Sequence, residues 1–173
     1  MRNGVTNFVA LLRAVNVGGT GKLAMTNLRA MGEELGLARV RTFIASGNLL
    51  FDSDLPETVV KAQLETRLTD YAGKRVPVLV RNAVELAAIV AADPFPDAHG
   101  SRHMVFFYDA PPPSDLIAEC RDVQGERLAL GTRELFVDYG DGIRFTKLKI
   151  AGKEDRTGRN MNTVRKLVEM AAA

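Results

Sequence analysis

Asn7-Phe8-Val9-Ala10-Leu11-Leu12-Arg13 is apolar on both faces a strand presents, with Phe8, Ala10 and Leu12 on one and Val9 and Leu11 on the other. A strand of that kind is covered on both sides and sits inside a sheet. It empties into Ala14-Val15-Asn16-Val17-Gly18-Gly19-Thr20-Gly21-Lys22. Glycine loses more backbone freedom on folding than any other residue, so a cluster of glycines marks a tight turn or a close approach. A glycine-rich, basic loop at the end of a strand is a setting in which many α/β proteins hold an anion.

Downstream, Leu28, Met31 and Leu35 keep helical spacing over Thr26 to Leu35, and Gly36 is placed to end that helix. Val40 to Ala45 and Asn48 to Phe51 are strands joined in hairpin fashion at Ser46-Gly47. Pro56 opens a helix whose stripe is Val60, Leu64, Leu68 and Tyr71. Val76 to Arg81 is a strand, and Pro77 within it demands a sheet edge. The order β-α-β-β-α-β is that of the split βαβ, or ferredoxin-like, plait. There the last strand lies at an edge and the first is internal, as Pro77 and the two apolar faces require.

The second half reads as a smaller, mainly antiparallel α/β module. Asn82 and Glu85 form a capping pair for a helix carrying Leu86, Ile89 and Val90. Strands follow at His103 to Tyr108, Glu126 to Leu130 and Glu134 to Tyr139, with a short helix over Ser114 to Arg121. The last helix runs from Gly158 to Ala172, capped by Thr157. The expected architecture is therefore α+β, with a ferredoxin-like plait over 1–81 and a second module over 82–173. No sequence repeat links the halves. A plait sheet has one face free of helices, so the second apolar face of the first strand predicts a cover, supplied by the second module or by a second copy of the chain.

Three segments resemble one family. They are Leu11-Leu12-Arg13-Ala14-Val15-Asn16-Val17-Gly18-Gly19, Val40 through Phe51, and Arg159-Asn160-Met161-Asn162-Thr163-Val164. In order they resemble the signatures of an uncharacterised bacterial family, domain of unknown function sixteen ninety-seven. The resemblance implies plait-like α/β modules and no established activity or catalytic residues. Ala14 stands where the family pattern has glycine, and Met161 where an aromatic residue is common.

Composition narrows the function classes. Hydrophobic residues make up 46% and charged residues 25% of 173 residues, as in an ordinary globular chain. No apolar run is long enough to cross a bilayer, and the N-terminus lacks a secretory cleavage pattern, so the expectation is a cytoplasmic protein without a membrane partner. Cys120 is the single cysteine and reads as a buried structural thiol. Residues 144–173 hold eight Lys/Arg against three acids, a net of +5, on a body of net −3. A basic segment of that kind can meet an anionic partner.

Known fingerprints fit poorly. A phosphate loop needs glycine at Asn16 and a hydroxyl at Leu23, and a dinucleotide fold needs glycine at Ala24. Ser46-Gly47 lacks the flanking glycines of a nucleophile elbow. His99 and His103 are spaced for a metal only on a helix, and Gly100 and the nearby prolines oppose one, so neither metal nor cofactor is expected. Tyr139 and Phe145 flank Arg144 and offer a stacking platform for single-stranded nucleic acid, although strand alternation also explains them as core.

What remains is an anion site made of Arg13, Asn16, Gly18, Gly19, Lys22, Asn48, Arg159 and Asn160. Arg13 and Arg159 clamp a phosphate, Lys22 is a point charge and the asparagines orient the ligand. The leading expectation is a binding module for a nucleotide or nucleic acid. The alternatives are an enzyme on a small anionic substrate, and a structural or oligomerisation role, including a homodimer.

Overall fold

The computed structural model describes residues 4–13, 23–44 and 47–173. The chain divides into two compact units, Met1–Leu86 with Leu167–Ala173, and Ala87–Lys166. Among the described residues there are five α-helices and two four-stranded antiparallel sheets.

The first unit contains β1 (Thr6–Leu12), α1 (Met25–Glu34), β2 (Ala38–Phe43), β3 (Asn48–Ser53), α2 (Glu57–Ala72) and β4 (Val78–Asn82), and α3 (Ala83–Ala91) begins in it. Its sheet order is β2-β3-β1-β4. β1 is internal, as its two apolar faces predict, and β4 is at the edge. Pro77 lies one residue before β4, and its carbonyl accepts from the Arg13 N–H at 3.0 Å. Phe8, Ala10 and Leu12 pack with Leu49, Phe51, Val78 and Val80 under α1 and α2, which contribute Leu28, Met31, Val60, Leu64 and Leu68. α2 ends because Gly73 takes the left-handed conformation at φ 68°. β2 is displaced from its expected span. Arg39 and Ile44 both have positive φ (49° and 50°), and the register shifts between Ala38 and Arg41.

On the opposite face Val9, Leu11, Leu50 and Leu79 are fully buried. The last turn of α5 (Met161–Ala172) is tied to this unit. Asn7 Nδ2 donates to the Ala171 carbonyl at 3.1 Å and Arg41 Nη1 to the Met170 carbonyl at 2.7 Å. Donors and cations suit a helix C-terminus, whose last carbonyls lack helical partners.

The second unit contains β5 (His103–Tyr108), α4 (Leu116–Glu119), β6 (Arg127–Leu130), β7 (Glu134–Asp138) and β8 (Arg156–Asn160), with the order β6-β7-β5-β8. That is the order of the first sheet. Val9 of β1 faces Arg81 of β4, and Val105 of β5 faces Arg159 of β8. β4 and β8 each end in Arg-Asn and lead directly into a helix. Asn82 Oδ1 accepts from the Glu85 N–H at 2.7 Å, and Asn160 Oδ1 from the Thr163 N–H at 2.9 Å.

This corrects the start of the last helix. Residues 156–160 pair with β5 from Tyr108↔Arg156 to Met104↔Asn160, so Arg159 belongs to a strand and Asn160, not Thr157, caps α5. The helix expected over Ser114 to Arg121 is the single turn α4, after which Arg121 bridges Lys149. Cys120 is half-buried, and its thiol donates to the Leu116 carbonyl at 3.3 Å. Among the described residues no helix is long and apolar enough to cross a membrane.

Candidate functional site

At one end of the first sheet, β1 leaves between two other segments. The Leu12 N–H donates to the Gly47 carbonyl at 2.9 Å, and the Arg13 N–H to that of Pro77. Leu11 pairs with Asn48, which is fully buried and donates through Nδ2 to the Phe43 carbonyl at 2.9 Å. Asn48 thereby ties the start of β3 to the end of β2. Arg13 is exposed. Two of the three resemblance segments thus meet at this end of the sheet. Asn16, Gly18, Gly19 and Lys22 lie outside the described residues.

Arg159 and Asn160 belong to the second unit. Arg159 is 5% exposed, and its Nη1 donates to Thr157 Oγ1 at 2.7 Å and to the Gly158 carbonyl at 2.9 Å. Burial brings its pKa down to about 10. Arg81, at the matching position of the first unit, is fully buried and donates to the Val80 carbonyl at 3.0 Å. A guanidinium bonded to the carbonyl of the residue before it is thus common to both sheets.

A row of polar groups that the linear sequence does not reveal crosses the second sheet. Arg127, Asp138 and His103 stand side by side on β6, β7 and β5. Arg127 donates to Asp138 Oδ2 through Nη2 at 2.6 Å and Nε at 2.9 Å, and to Asp97 at 3.1 Å, with its guanidinium 4.6 Å over the Phe95 ring. His103 is fully buried against Phe95 and Phe136, with its Nε2 3.4 Å from Asp93 Oδ1. The other oxygen of Asp93 lies 3.9 Å from Arg165.

Burial pushes the His103 pKa below 6.5. It outweighs the opposing pull of Asp93 and Asp138, and Arg165 and Arg127 add to it. Burial alone would raise the Asp138 carboxyl, but the Gly140 N–H and the Arg127 guanidinium hold it below its usual value. The imidazole is closed to solvent, so the row serves the fold. One signal pointed to it. His103 opens a strand whose inward positions are Val105 and Phe107, and the alternation places His103 on the same side. No cluster of three metal-ligating side chains occurs among the described residues.

The fold recurs elsewhere. The structure of the conserved bacterial protein SP0830 from Streptococcus pneumoniae matches with a TM-score of 0.82 over 97% of this chain and 99% of that one, at 23% identity. No curated protein matches the chain. A family model described as "Protein of unknown function (DUF1697)" matches residues 5–136, which takes in the first two resemblance segments and stops short of the third, and the chain belongs to that family.

Proposed function

We propose that this protein is a binding module for a phosphate-bearing ligand, a nucleotide or nucleic acid, built on a ferredoxin-like first unit. The ligand is held where β1 gives way to residues 14–22. Arg13 supplies a fork for phosphate oxygens, Lys22 a compact positive charge, and Gly18 and Gly19, which carry no Cβ, backbone N–H groups that a phosphate can approach closely. Asn16 orients the ligand, and Asn48 fixes the neighbouring turn. Arg159 bonds within its own strand and Asn160 caps α5, and the reading is argued from the first-unit residues.

The observation that carries it is internal. Both units connect a first strand to a first helix. In the second unit that connection is Asp109-Ala110-Pro111-Pro112-Pro113-Ser114-Asp115, with neither a glycine nor a base. The topology therefore does not demand Gly18-Gly19-Thr20-Gly21-Lys22, and a ligand gives that composition a reason.

The test is thermal unfolding with inorganic phosphate, pyrophosphate, nucleotides and short oligonucleotides. A ligand at ~100 times its Kd stabilises by about 2.7 kcal/mol, which for a chain of this length raises Tm by roughly 5–10 °C. Arg13→Ala with Lys22→Ala abolishes the rise. No shift with any of these ligands, or a shift unchanged in the double variant, overturns the reading.

A further inference from the structure

The second unit departs from the repeat at its second crossover. In the first unit that crossover contains α2, whose Val60, Leu64 and Leu68 cover the sheet. In the second unit, residues 139–155 take its place with a single 3₁₀ turn, Ile143–Phe145. Leu148 and Ile150 still pack on the sheet, while Lys147, Lys149 and Lys153 are exposed. Three exposed lysines thus recur along an irregular segment, with Lys149 Nζ 3.9 Å from Asp122 Oδ2.

Beside it is a cavity of about 200 Å³ lined by Glu126, Tyr139, Asp141, Phe145 and Thr146 among others. Phe145 is 69% exposed, which leaves aromatic surface available for stacking. The Arg144 guanidinium lies 4.8 Å from the ring centroid on one face. Glu126 is held rigidly. Its Oε1 accepts from Thr146 Oγ1 at 2.6 Å and its Oε2 from the Gln124 N–H at 2.6 Å. Those two bonds keep its carboxyl below its ordinary pKa and so ionised. Each carboxylate oxygen still has a lone pair for a further donor.

The geometry points to a single-stranded nucleic-acid surface on the second unit, in which a base stacks on Phe145 with its amino edge toward Glu126 and the backbone runs along Arg144, Lys147, Lys149 and Lys153. An aromatic ring gives sequence-tolerant stacking, and a line of cations gives a path for several phosphates, more than one mononucleotide carries. A fixed carboxylate accepts from the amino groups of cytosine, adenine or guanine. Thymine and uracil lack such a group. Duplex bases are already stacked and paired, so duplex does not fit. This surface uses no residue of the Arg13–Lys22 site.

The experiment is fluorescence anisotropy with fluorescein-labelled oligo-dC, oligo-dT and a duplex of equal length, across a salt series. The full chain binds oligo-dC more tightly than oligo-dT or duplex. Phe145→Ala, at an exposed position, leaves Tm unchanged and weakens oligo-dC binding roughly tenfold, within the range for one stacked base. Phe145→Trp restores it. Lys147→Gln with Lys149→Gln flattens the log–log salt slope by about 1.4, from ~0.7 per phosphate contact on single strands. Glu126→Leu, which leaves no acceptor at that position, removes the preference for oligo-dC. The Phe145 effect persists in the Arg13→Ala/Lys22→Ala background, so loss at one site cannot stand for loss at the other. The proposal falls if no single strand binds, if duplex binds equally well, if Phe145→Ala changes nothing, or if its effect disappears in that background.

Discussion

Gly158→Ala distinguishes a strand from a helix at the third resemblance segment by the sign of its effect. If Gly158 opened a helix, alanine would stabilise the chain by up to about 1 kcal/mol, because glycine is the poorer helix former. In β8 a Cβ at this position lies 2.7 Å from Phe106 Cε1, 3.0 Å from Phe106 Cδ1 and 3.0 Å from Met104 Cε. The methionine methyl can move aside, but the ring must turn as a body, and forced overpacking costs about 1–3 kcal/mol. Alanine returns ~0.4–1 kcal/mol by restricting the unfolded chain. The net expectation is a loss of about 1–2 kcal/mol, and a Tm lower by roughly 2–8 °C at this chain length. Thermal unfolding by circular dichroism reads it directly. Phe106→Leu in the same chain should return part of the loss, as a coupling between contacting residues. A Tm that rises, or a loss indifferent to residue 106, refutes the packing argument and with it the placement of Gly158 opposite Phe106.

Other consequences follow from single contacts. Asn160→Ala removes the α5 cap and lowers stability by about 1 kcal/mol, whereas Asn160→Asp keeps the acceptor and most of the stability; urea midpoints separate the two. Asn48→Ala leaves the Phe43 carbonyl without its 2.9 Å donor and costs about 1–3 kcal/mol in chemical unfolding, and Asn48→Asp does not rescue it because a carboxylate accepts where an amide donates. Acidification destabilises the second unit. His103 has a lower pKa folded than unfolded, so below about 6.5 the unfolded chain binds the proton first and stability falls with pH until the folded ring titrates. The contribution is therefore present above that range and lost below it. His103→Gln flattens the urea midpoint between pH 7 and 5, and a wild-type midpoint that rises on acidification contradicts the burial argument. At lower pH the Asp138 carboxyl, whose folded pKa is depressed, removes a further contribution as it protonates.

Apolar residues made most of the first unit legible. Val9 and Leu11 opposite Phe8, Ala10 and Leu12 place β1 inside a sheet, and Pro77 puts the neighbouring segment at its edge. β8 escaped because periodicity is read from apolar residues, and Arg156-Thr157-Gly158-Arg159-Asn160 has none. Its alternation is real, with Thr157 and Arg159 buried between half-buried neighbours, but it is written in polar side chains. The repeat was hidden for a related reason. Corresponding positions share a place in the sheet and not a chemistry, as Asn7 with His103 and Leu79 with Thr157 show. Arg-Asn before a helix is one pair that survives. The polar row around His103 was out of reach because its members are scattered over some seventy positions: strand register brings His103, Arg127 and Asp138 together, and Asp93 and Arg165 join them only in the folded chain.

That repeat lets one half of the molecule serve as a control for the other. A feature present in both units belongs to the topology. Burying a guanidinium costs several kcal/mol before its partners repay it, yet Arg81 and Arg159 both take the site opposite a central valine, and each bonds the carbonyl of the residue before it. A guanidinium buried at the same place in both sheets, with the same carbonyl partner, has a reason in the architecture. By the same logic a feature found in one unit only needs a separate cause. Glycines and Lys22 mark the first connection of one unit, and an exposed phenylalanine beside a line of lysines marks the second crossover of the other. Neither is required to close a four-stranded sheet of this order, since the sister unit closes without it. Those two departures are the places the two binding proposals rest on, and the Arg13, Lys22 and Phe145 variants test them one at a time.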